Sequence, residues 1–338
     1  MKIFHYVSVA RSLLRVPTYL LLIMYLCVGI FAGIAVTATK PGLTELQALL
    51  FKAAVCALII ALWYINGTAL NDYADYEIDL INLKGDADRP LVVGTATKPD
   101  LLYAAGMCAL ASTALAFYLG WQSGVIVVSL LLLNISYSIK PFQISRRGGL
   151  APLLLPLGYI VLPLVLGYLL HAKHNSALFS MLLASFYLQF MGRIILKDYR
   201  DVVGDKKHGK MTFLLRHGNR VVCAVSAACI SASALLLVLH IGHQLHAFKF
   251  ALISLTAFAL VALYQLSEVD SWKLQKPVIA AFGRAMTGVT AAIITGLITS
   301  TWTVPAPTMT FMAVVLVVVY TWSAREAFNY NTQLQAKR

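Results

Sequence analysis

The stretch NDYADYEID, Asn71–Asp79, follows a long apolar run and places four acidic residues between positions 72 and 79. The stretch DYRDVVGD, Asp198–Asp205, repeats the pattern D-Y-x-D-x-x-x-D 126 residues later and also follows an apolar run. Aspartates at positions i, i+3 and i+7 of a helix lie within roughly a 60° arc, because each residue turns the helix by about 100°. Each stretch, if helical, therefore carries a ridge of carboxylates along one face.

Like charges on one helical stripe repel one another, so a bound cation would stabilise each ridge. Carboxylate oxygens without His or Cys beside them favour Mg²⁺, which proteins usually hold through a few carboxylates and substrate phosphates. Two copies of one pattern at the same spacing predict a joint site. We therefore expect the two acidic stretches to bind Mg²⁺ jointly.

The composition predicts an all-α polytopic membrane protein. Of 338 residues, 59% are hydrophobic and 12% are charged, and the mean hydropathy is +0.77. Soluble domains carry about 25% charged residues. Apolar runs long enough to span a bilayer predict transmembrane helices at 18–38, 48–70, 101–119, 122–139, 150–170, 177–195, 221–241, 247–266, 285–303 and 307–324. Pro305 and Pro307 separate the last two narrowly, so a bundle of nine to ten helices is expected.

The distribution of basic residues predicts the topology. With ten spans, 23 of the 27 Lys and Arg residues fall on one side. The positive-inside rule then places both termini and both acidic stretches in the cytoplasm. The net charge of +13 follows from this topology and does not indicate nucleic-acid binding. Because no long linker or extramembrane segment interrupts the spans, residues 1–338 are expected to form a single intramembrane domain.

Two carboxylate ridges on one membrane face, each followed by Lys, Arg and Gly, suit a lipid diphosphate. Metal ions would neutralise its phosphates, basic side chains would bind the remaining oxygens, and apolar helices would surround the hydrocarbon tail. Loss of diphosphate from an allylic carbon leaves a carbocation, and metals stabilise the leaving group where charge develops. Water must be excluded from that cation. The chemistry predicted is transfer of a prenyl group within the membrane.

The two acidic stretches resemble those of the UbiA superfamily of intramembrane prenyltransferases. Asn71–Asp79 matches its NDxxDxxxD motif, and Asp198–Asp205 is similar to its second aspartate-rich motif. Further matches are Asp88-Arg89-Pro90 with Gly94, Tyr137-Ser138, Arg15 with Pro17, and Thr212. The resemblance covers roughly residues 11–300 and implies a helical bundle, usually of nine spans, around a central cavity capped by both motifs. A tenth span departs from that count.

The resemblance also implies roles for individual residues. The first Mg²⁺ would be bound by Asn71, Asp72, Asp75 and Asp79, and the second by Asp198, Asp201 and Asp205. The acids at the centre of catalysis would be Asp72, Asp75, Asp198 and Asp201. Diphosphate contacts are expected from Arg89, Lys197, Arg200, Lys206 and Lys210. Contacts near the acceptor are expected from Tyr137, Ser138 and Lys140.

The acceptor stays open at this point. Members of the superfamily prenylate aromatic acids, quinone precursors, tetrapyrroles or glycerol phosphates, and one branch transfers phosphoribose to a polyprenyl phosphate. The expected partners are thus an isoprenyl diphosphate, a small acceptor and the bilayer, without nucleic acid. The CDP-alcohol phosphotransferases are disfavoured because neither acidic stretch has their D-G and A-R elements. A cation transporter is also an alternative, but such proteins need ionisable groups near the midplane, where these spans offer mainly Asn134 and Gln189.

Overall fold

The computed structural model describes residues 2–37, 42–240 and 246–301. Over these residues the fold is helical, with α1 Lys2–Leu13, α2 Val16–Thr37, α3 Leu43–Ala74, α4 Tyr76–Asn82, α5 Lys98–Leu119, α6 Trp121–Ser138, α7 Leu150–Pro156, α8 Leu162–Leu169, α9 Ala177–Ile194, α10 Asp198–Lys207, α11 Phe213–His240, α12 His246–Ser267 and α13 Trp272–Thr301. The strands in this part of the chain are the two-residue segments β1, Arg147–Gly148, and β2, Met211–Thr212, which pair in parallel. The predicted all-α fold is confirmed.

Nine helical segments within the described ranges are long and apolar enough to cross a membrane. They comprise α2, α3, α5, α6, the α7–α8 segment, the α9–α10 segment, α11, α12 and α13. The prediction of a polytopic membrane protein is confirmed. The ninth of these helices, α13, begins at Trp272, whereas the predicted span begins at residue 285. The prediction misses the first part of the helix because that part is more polar than the rest. The predicted span 307–324 lies outside the described residues.

The chain divides into two compact units. The first comprises Met1–Leu26, Pro41–Leu166 and Asp201–Arg216, and the second comprises Cys27–Lys40, Gly167–Arg200 and His217–Arg338. The predicted acidic stretches therefore contribute to the first unit through Asn71–Asp79 and Asp201–Asp205, whereas Asp198 belongs to the second.

The core of the first unit lies among α1, α3 and α5. Its buried residues are Val9, Leu13, Ile65, Ala69, Leu70, Leu91, Ala96, Leu101, Ala104, Ala105 and Cys108. Two buried polar side chains connect these helices. The Thr68 hydroxyl donates to the Leu13 carbonyl at 3.0 Å, and the Asn66 amide donates to the Ala105 carbonyl at 3.0 Å. Such bonds matter here because an unpaired polar group is costly to bury in an apolar surrounding.

The second unit packs α9 against α11 through small residues. The Ser185 hydroxyl lies 2.8 Å from the Ser233 carbonyl, and the Ser226 hydroxyl donates to the Gly192 carbonyl at 2.8 Å. A Cβ atom at Gly192 would lie 3.0 Å from the Ser226 carbonyl oxygen. Small residues let membrane helices approach closely in this way.

The first acidic stretch departs from a continuous helix. Helix α3 ends at Ala74, Asp75 has φ −99° and ψ 11°, and α4 begins at Tyr76. The Asp75 and Asp79 amides still donate to the Asn71 and Asp75 carbonyls at 2.9 Å, so the break is a local bend. The second stretch is helical throughout, within α10. The second stretch thus meets the condition of a continuous helix on which a carboxylate ridge depends. The first does not, and Asp75 contacts a different basic partner from Asp72.

Candidate active site

Three aspartates of the first stretch are buried where α3 passes into α4. The exposed fractions of Asp72, Asp75 and Asp79 are 2%, 4% and 5%. Carboxylates are rarely buried to this degree unless they are paired, because removing an ion from water is costly. The identity of their partners therefore decides what the site can bind.

Two arginines share Asp72. The Arg15 Nη2 atom lies 2.6 Å and 2.8 Å from the two carboxylate oxygens of Asp72. Arg89 donates to the same carboxylate through Nη1, which also lies 3.0 Å from Asp79 Oδ2. Burial opposes the charged form of Arg15, but the Asp72 carboxylate and the nearby Tyr64 and Tyr159 together raise the pKa of Arg15 above its usual value. The Arg15 guanidinium therefore stays charged.

The loop after α4 holds Arg89 in place. The Arg89 amide donates to the Asp86 carbonyl at 3.0 Å, and the Arg89 carbonyl accepts from the Val92 amide at 2.9 Å. The Pro90 carbonyl accepts from the Thr95 amide at 2.9 Å, which closes the loop, and Gly94 adopts φ +75° within it. The side chain of Arg89 is 5% exposed. The guanidinium is thus presented by an ordered turn rather than by a flexible side chain on the surface.

Lys210 contacts aspartates of both acidic stretches. Lys210 Nζ lies 2.6 Å from Asp75 Oδ2 and 3.7 Å from Asp205 Oδ1. Burial opposes its charge, yet the two carboxylates together raise the pKa of Lys210 above its usual value. Helix α10 ends just before it, where Gly209 at φ +65° reverses the chain and the Lys210 amide donates to the Asp205 carbonyl at 2.8 Å. The left-handed glycine therefore directs Lys210 back to the acids.

The position of Gly209 leads to a stability prediction. A residue with a Cβ atom at φ +65° costs about 1–2 kcal/mol, so Gly209→Ala is expected to lower the midpoint of thermal unfolding by several degrees. Gly106 provides the control, because it lies within α5 and a Cβ atom there would meet no other atom within 4 Å. Gly106→Ala should leave the midpoint unchanged or raise it, since alanine is the better helix former. Equal midpoints for Gly209→Ala and the unsubstituted protein would contradict this account.

Asp79 holds its proton more tightly than an ordinary carboxyl does. Its pKa is raised to about 7, chiefly by burial and additionally by the charges of Asp72, Asp75 and Asp201, while Arg89 opposes the shift. A carboxyl that retains its proton so readily is one whose ionised form would gain from an added cation.

The donor set fits a hard divalent cation. The Asp75 Oδ1 atom is buried and accepts no hydrogen bond within the described residues. Over the same residues, no three His, Cys, Asp or Glu side chains are already grouped as metal ligands. Instead Arg15, Arg89 and Lys210 lie against the carboxylates. Metal binding at these oxygens would therefore require the carboxylates to exchange some of their basic partners for the ion.

Comparison with models of protein families identifies the family of this chain. The model of the UbiA prenyltransferase family matches residues 26–286. The chain belongs to the UbiA prenyltransferase family. The resemblance seen in the two acidic stretches is thereby confirmed.

Curated relatives fall into two kinds. The chain is 32% identical over 172 residues to digeranylgeranylglyceryl phosphate synthase of Methanothermobacter thermautotrophicus, which covers 50% of this chain and 57% of that protein. It is 26% identical over 222 residues to the bacteriochlorophyll synthase 33 kDa chain of Rhodobacter capsulatus, covering 63% of this chain and 68% of that protein. The match thus spans little more than half of the first relative's length.

Solved structures share the fold. A digeranylgeranylglyceryl phosphate synthase structure aligns with a TM-score of 0.61 at 18% identity, covering 87% of this chain and 99% of that one. A UbiA homologue from Archaeoglobus fulgidus bound to GPP and Mg²⁺ aligns with a TM-score of 0.62 at 15% identity, covering 86% and 99%. At these identities the likeness shows the fold alone.

The remaining residues implied by the family resemblance have different surroundings. In the first unit, Asn71 is half-buried, Tyr137 and Ser138 are buried at the end of α6, and Lys140 and Lys206 are exposed. In the second unit, Asp198 is buried, whereas Lys197 and Arg200 are exposed. Among the predicted site residues, the structure thus pairs Arg89 with Asp72 and Asp79. It pairs Lys210 with Asp75 and Asp205. The roles assigned to all of these residues stay predictions.

Sequence reasoning does not place Arg15 or Asn82 among the site residues. Arg15 stands out only as a family match near the first span, yet it forms a bidentate ion pair with Asp72. Asn82 contacts the backbone of α10. A signal for Asn82 is available, because it continues the spacing of the acidic stretch three residues after Asp79. No comparable local signal marks Arg15, which pairs with a residue 57 positions away.

An aromatic pocket lies in the first unit beside Tyr137. Its lining residues are Trp63, Leu133, Asn134, Tyr137, Leu154, Leu155, Gly158 and Tyr159. Gly158 lies in a π-helical turn, Leu157–Val161, and a Cβ atom there would come within 2.3 Å of the Trp63 ring. Because Gly158 has no side chain, the Trp63 indole can pack against this turn. The Tyr159 ring contacts the same indole edge-on, with 5.8 Å between the ring centroids.

Proposed function

We propose that this chain transfers a prenyl group from an isoprenyl diphosphate to a small acceptor within the membrane, using two Mg²⁺ ions. The observation that carries the proposal is the contact of Lys210 with Asp75 and Asp205, which joins buried carboxylates of both acidic stretches. Membership of the UbiA prenyltransferase family and the GPP- and Mg²⁺-bound homologue support it.

The proposed metal ligands are the polar side chains of the two stretches. They are Asn71, Asp72, Asp75 and Asp79 for one ion and Asp198, Asp201 and Asp205 for the other. When bound, Mg²⁺ would neutralise the diphosphate and make it a better leaving group. The buried oxygen of Asp75 and the raised pKa of Asp79 both favour an additional cation at the first set.

The basic side chains would serve the diphosphate. Arg15, Arg89 and Lys210 now neutralise carboxylates, and they become available to phosphate oxygens once those carboxylates bind metal. Arginine suits this exchange because its planar fork matches carboxylate and phosphate equally well. Lys197, Arg200 and Lys206 are exposed and would contact the outer phosphate oxygens. The carbon–oxygen bond to the diphosphate breaks, the acceptor forms a new bond to that carbon, and the acceptor gives up a proton.

The acceptor is proposed to be anionic. Lys140 follows the buried pair Tyr137 and Ser138, and Arg147 lies in β1, which pairs with β2 directly after Lys210. The names of both kinds of relative, a digeranylgeranylglyceryl phosphate synthase and a bacteriochlorophyll synthase, support an acceptor with a polar part. The excess of basic residues on this side supports a cytoplasmic site with both termini in the same compartment.

The test is diphosphate release by purified protein in lipid. Geranylgeranyl diphosphate would be supplied with Mg²⁺ and, in separate reactions, geranylgeranylglyceryl phosphate, a tetrapyrrole acid, an aromatic acid and a quinone precursor. Mass spectrometry would identify the adduct. We expect release that requires Mg²⁺ and either geranylgeranylglyceryl phosphate or the tetrapyrrole acid.

Other outcomes would redirect the assignment. Reaction of phosphoribosyl diphosphate with a polyprenyl phosphate, in the absence of any prenyl transfer, would move the function to the phosphoribosyl branch. Cation flux across liposomes that is lost in Asp72→Ala would instead support a transporter. Both outcomes would contradict prenyl transfer.

A further inference from the structure

Asn82 connects the two acidic stretches through the backbone. It is the last residue of α4, and its side-chain Nδ2 donates to the Asp201 carbonyl at 2.8 Å. Its Oδ1 accepts from the Gly204 amide at 2.7 Å. A side-chain amide that donates to one backbone group and accepts from another behaves like a peptide unit, and it fixes both position and orientation.

Gly204 is required for this approach. A Cβ atom at Gly204 would lie 2.6 Å from Asn82 Nδ2 and 2.8 Å from Asn82 Oδ1. Contacts this short force a neighbour to move. Because Gly204 is helical within α10, the requirement arises from space and not from an unusual backbone angle. Asn82 and Gly204 are therefore matched to each other.

The two backbone groups that Asn82 contacts lie beside proposed metal ligands of α10. Asp201 supplies the carbonyl, and Gly204 immediately precedes Asp205. On α4, Asn82 follows Asp79 by three residues, so the two side chains share a face. The Asn82 contacts therefore hold α4, which carries Asp79, against the turn of α10 that carries Asp201 and Asp205.

We infer that Asn82 is a positioning residue that sets the separation between the acidic groups of α4 and α10, so that both bind one metal–diphosphate unit. This rests on the proposed function. Asn82 acts through the aspartates and needs no contact with substrate. Second-sphere partners of metal ligands typically change metal affinity about 10–100-fold when they are removed.

The test measures Mn²⁺ binding by electron paramagnetic resonance on the purified full-length protein without substrate, together with thermal unfolding. Asn82→Leu removes both hydrogen bonds at similar size and is expected to weaken Mn²⁺ binding about 10–100-fold. Asn82→Asp keeps an acceptor for Gly204 but loses the donor to Asp201 and adds a negative charge. Added charge alone would strengthen Mn²⁺ binding, whereas loss of the contact weakens it. We expect Asn82→Asp to bind Mn²⁺ more weakly.

Ser226→Ala is the matched control, because it removes one buried hydrogen bond from a side chain to a backbone carbonyl in the second unit. It should lower the unfolding midpoint without changing Mn²⁺ affinity. If Asn82→Leu fails to fold, Gly204→Ala serves as the second variant, paired with Gly192→Ala, whose Cβ atom would meet the Ser226 carbonyl at 3.0 Å. Gly204→Ala is expected to weaken Mn²⁺ binding and Gly192→Ala to leave it unchanged.

The inference would be overturned if the Asn82 variants bound Mn²⁺ as tightly as the wild type does. If Asn82→Leu does not fold, unchanged Mn²⁺ affinity in Gly204→Ala would overturn it. Its failure is distinguishable from failure of the proposed function. Wild-type protein that transfers prenyl groups, with Asn82 variants that bind Mn²⁺ normally, would contradict the positioning role alone. Wild-type protein that releases no diphosphate from any prenyl donor, with Asn82 variants that still lose Mn²⁺ affinity, would contradict the reaction and leave the positioning role supported.

Discussion

Asp72→Asn is expected to reduce prenyl transfer at least about 100-fold while leaving a folded protein. Removing a group that only hydrogen-bonds to a metal ligand typically lowers activity about 10–100-fold, and removing a proposed ligand should cost no less. Asp72 is 2% exposed and accepts hydrogen bonds from Arg15 and Arg89. The asparagine side chain has the same shape and still offers an acceptor to Arg15. Arg89 keeps its ion pair with Asp79. The main loss is therefore the negative charge that the metal requires.

The measurement is diphosphate release at saturating donor over a range of Mg²⁺ concentrations, with thermal unfolding to verify the fold. Glu77→Gln provides the control, since Glu77 lies in the same stretch but is exposed. It should keep wild-type turnover. Asp198→Asn, the equivalent change in the second stretch, should behave like Asp72→Asn. Wild-type turnover by both aspartate variants would rule out the two-metal mechanism.

Arg89→Met is expected to give the largest loss of stability, about 3–5 kcal/mol, because it leaves a buried carboxylate without its partner. Asp72 retains Arg15, so the effect falls on Asp79, whose ion pair with Arg89 is 3.0 Å long. Turnover should fall as well if Arg89 binds the diphosphate. Arg11→Met, at an exposed position on α1, should change neither property.

The stability loss in Arg89→Met should depend on pH. The folded-state pKa of Asp79 is raised to about 7, above its ordinary value, so the folded state binds this proton more tightly than the unfolded state does. The contribution of Asp79 to stability therefore decreases as pH rises toward and through 7. Without Arg89 the pKa rises further, and the deficit against wild type should be larger at pH 8 than at pH 6.

Thermal unfolding in the presence of EDTA would measure this difference. Adding Mg²⁺ should reduce the deficit at pH 8, because the ion replaces part of the lost positive charge. A deficit that is the same at both pH values, or larger at pH 6, would show that Asp79 does not depend on Arg89 in the way the ion pair suggests.

The sequence by itself determined the class of fold and the chemical character of the site. Apolar runs predicted the helices because burial in lipid depends on the local composition of about twenty residues. The repeated spacing of Asp72, Asp75 and Asp79 with Asp198, Asp201 and Asp205 predicted a metal-dependent site, because helical periodicity is also local. Family resemblance added Arg89 and Lys210 as candidates for diphosphate contacts.

Only the tertiary structure decided how the charges are paired. Arg15 and Arg89 share Asp72, Lys210 contacts Asp75 across 135 residues, and Asn82 contacts the Asp201 carbonyl across 119 residues. Pairings over such separations leave no periodic trace in the sequence, because they depend on how helices pack and where loops end. The contact made by Asp75 at the bend also could not be predicted from the local sequence. Its carboxylate binds Lys210, which is 135 residues away along the chain.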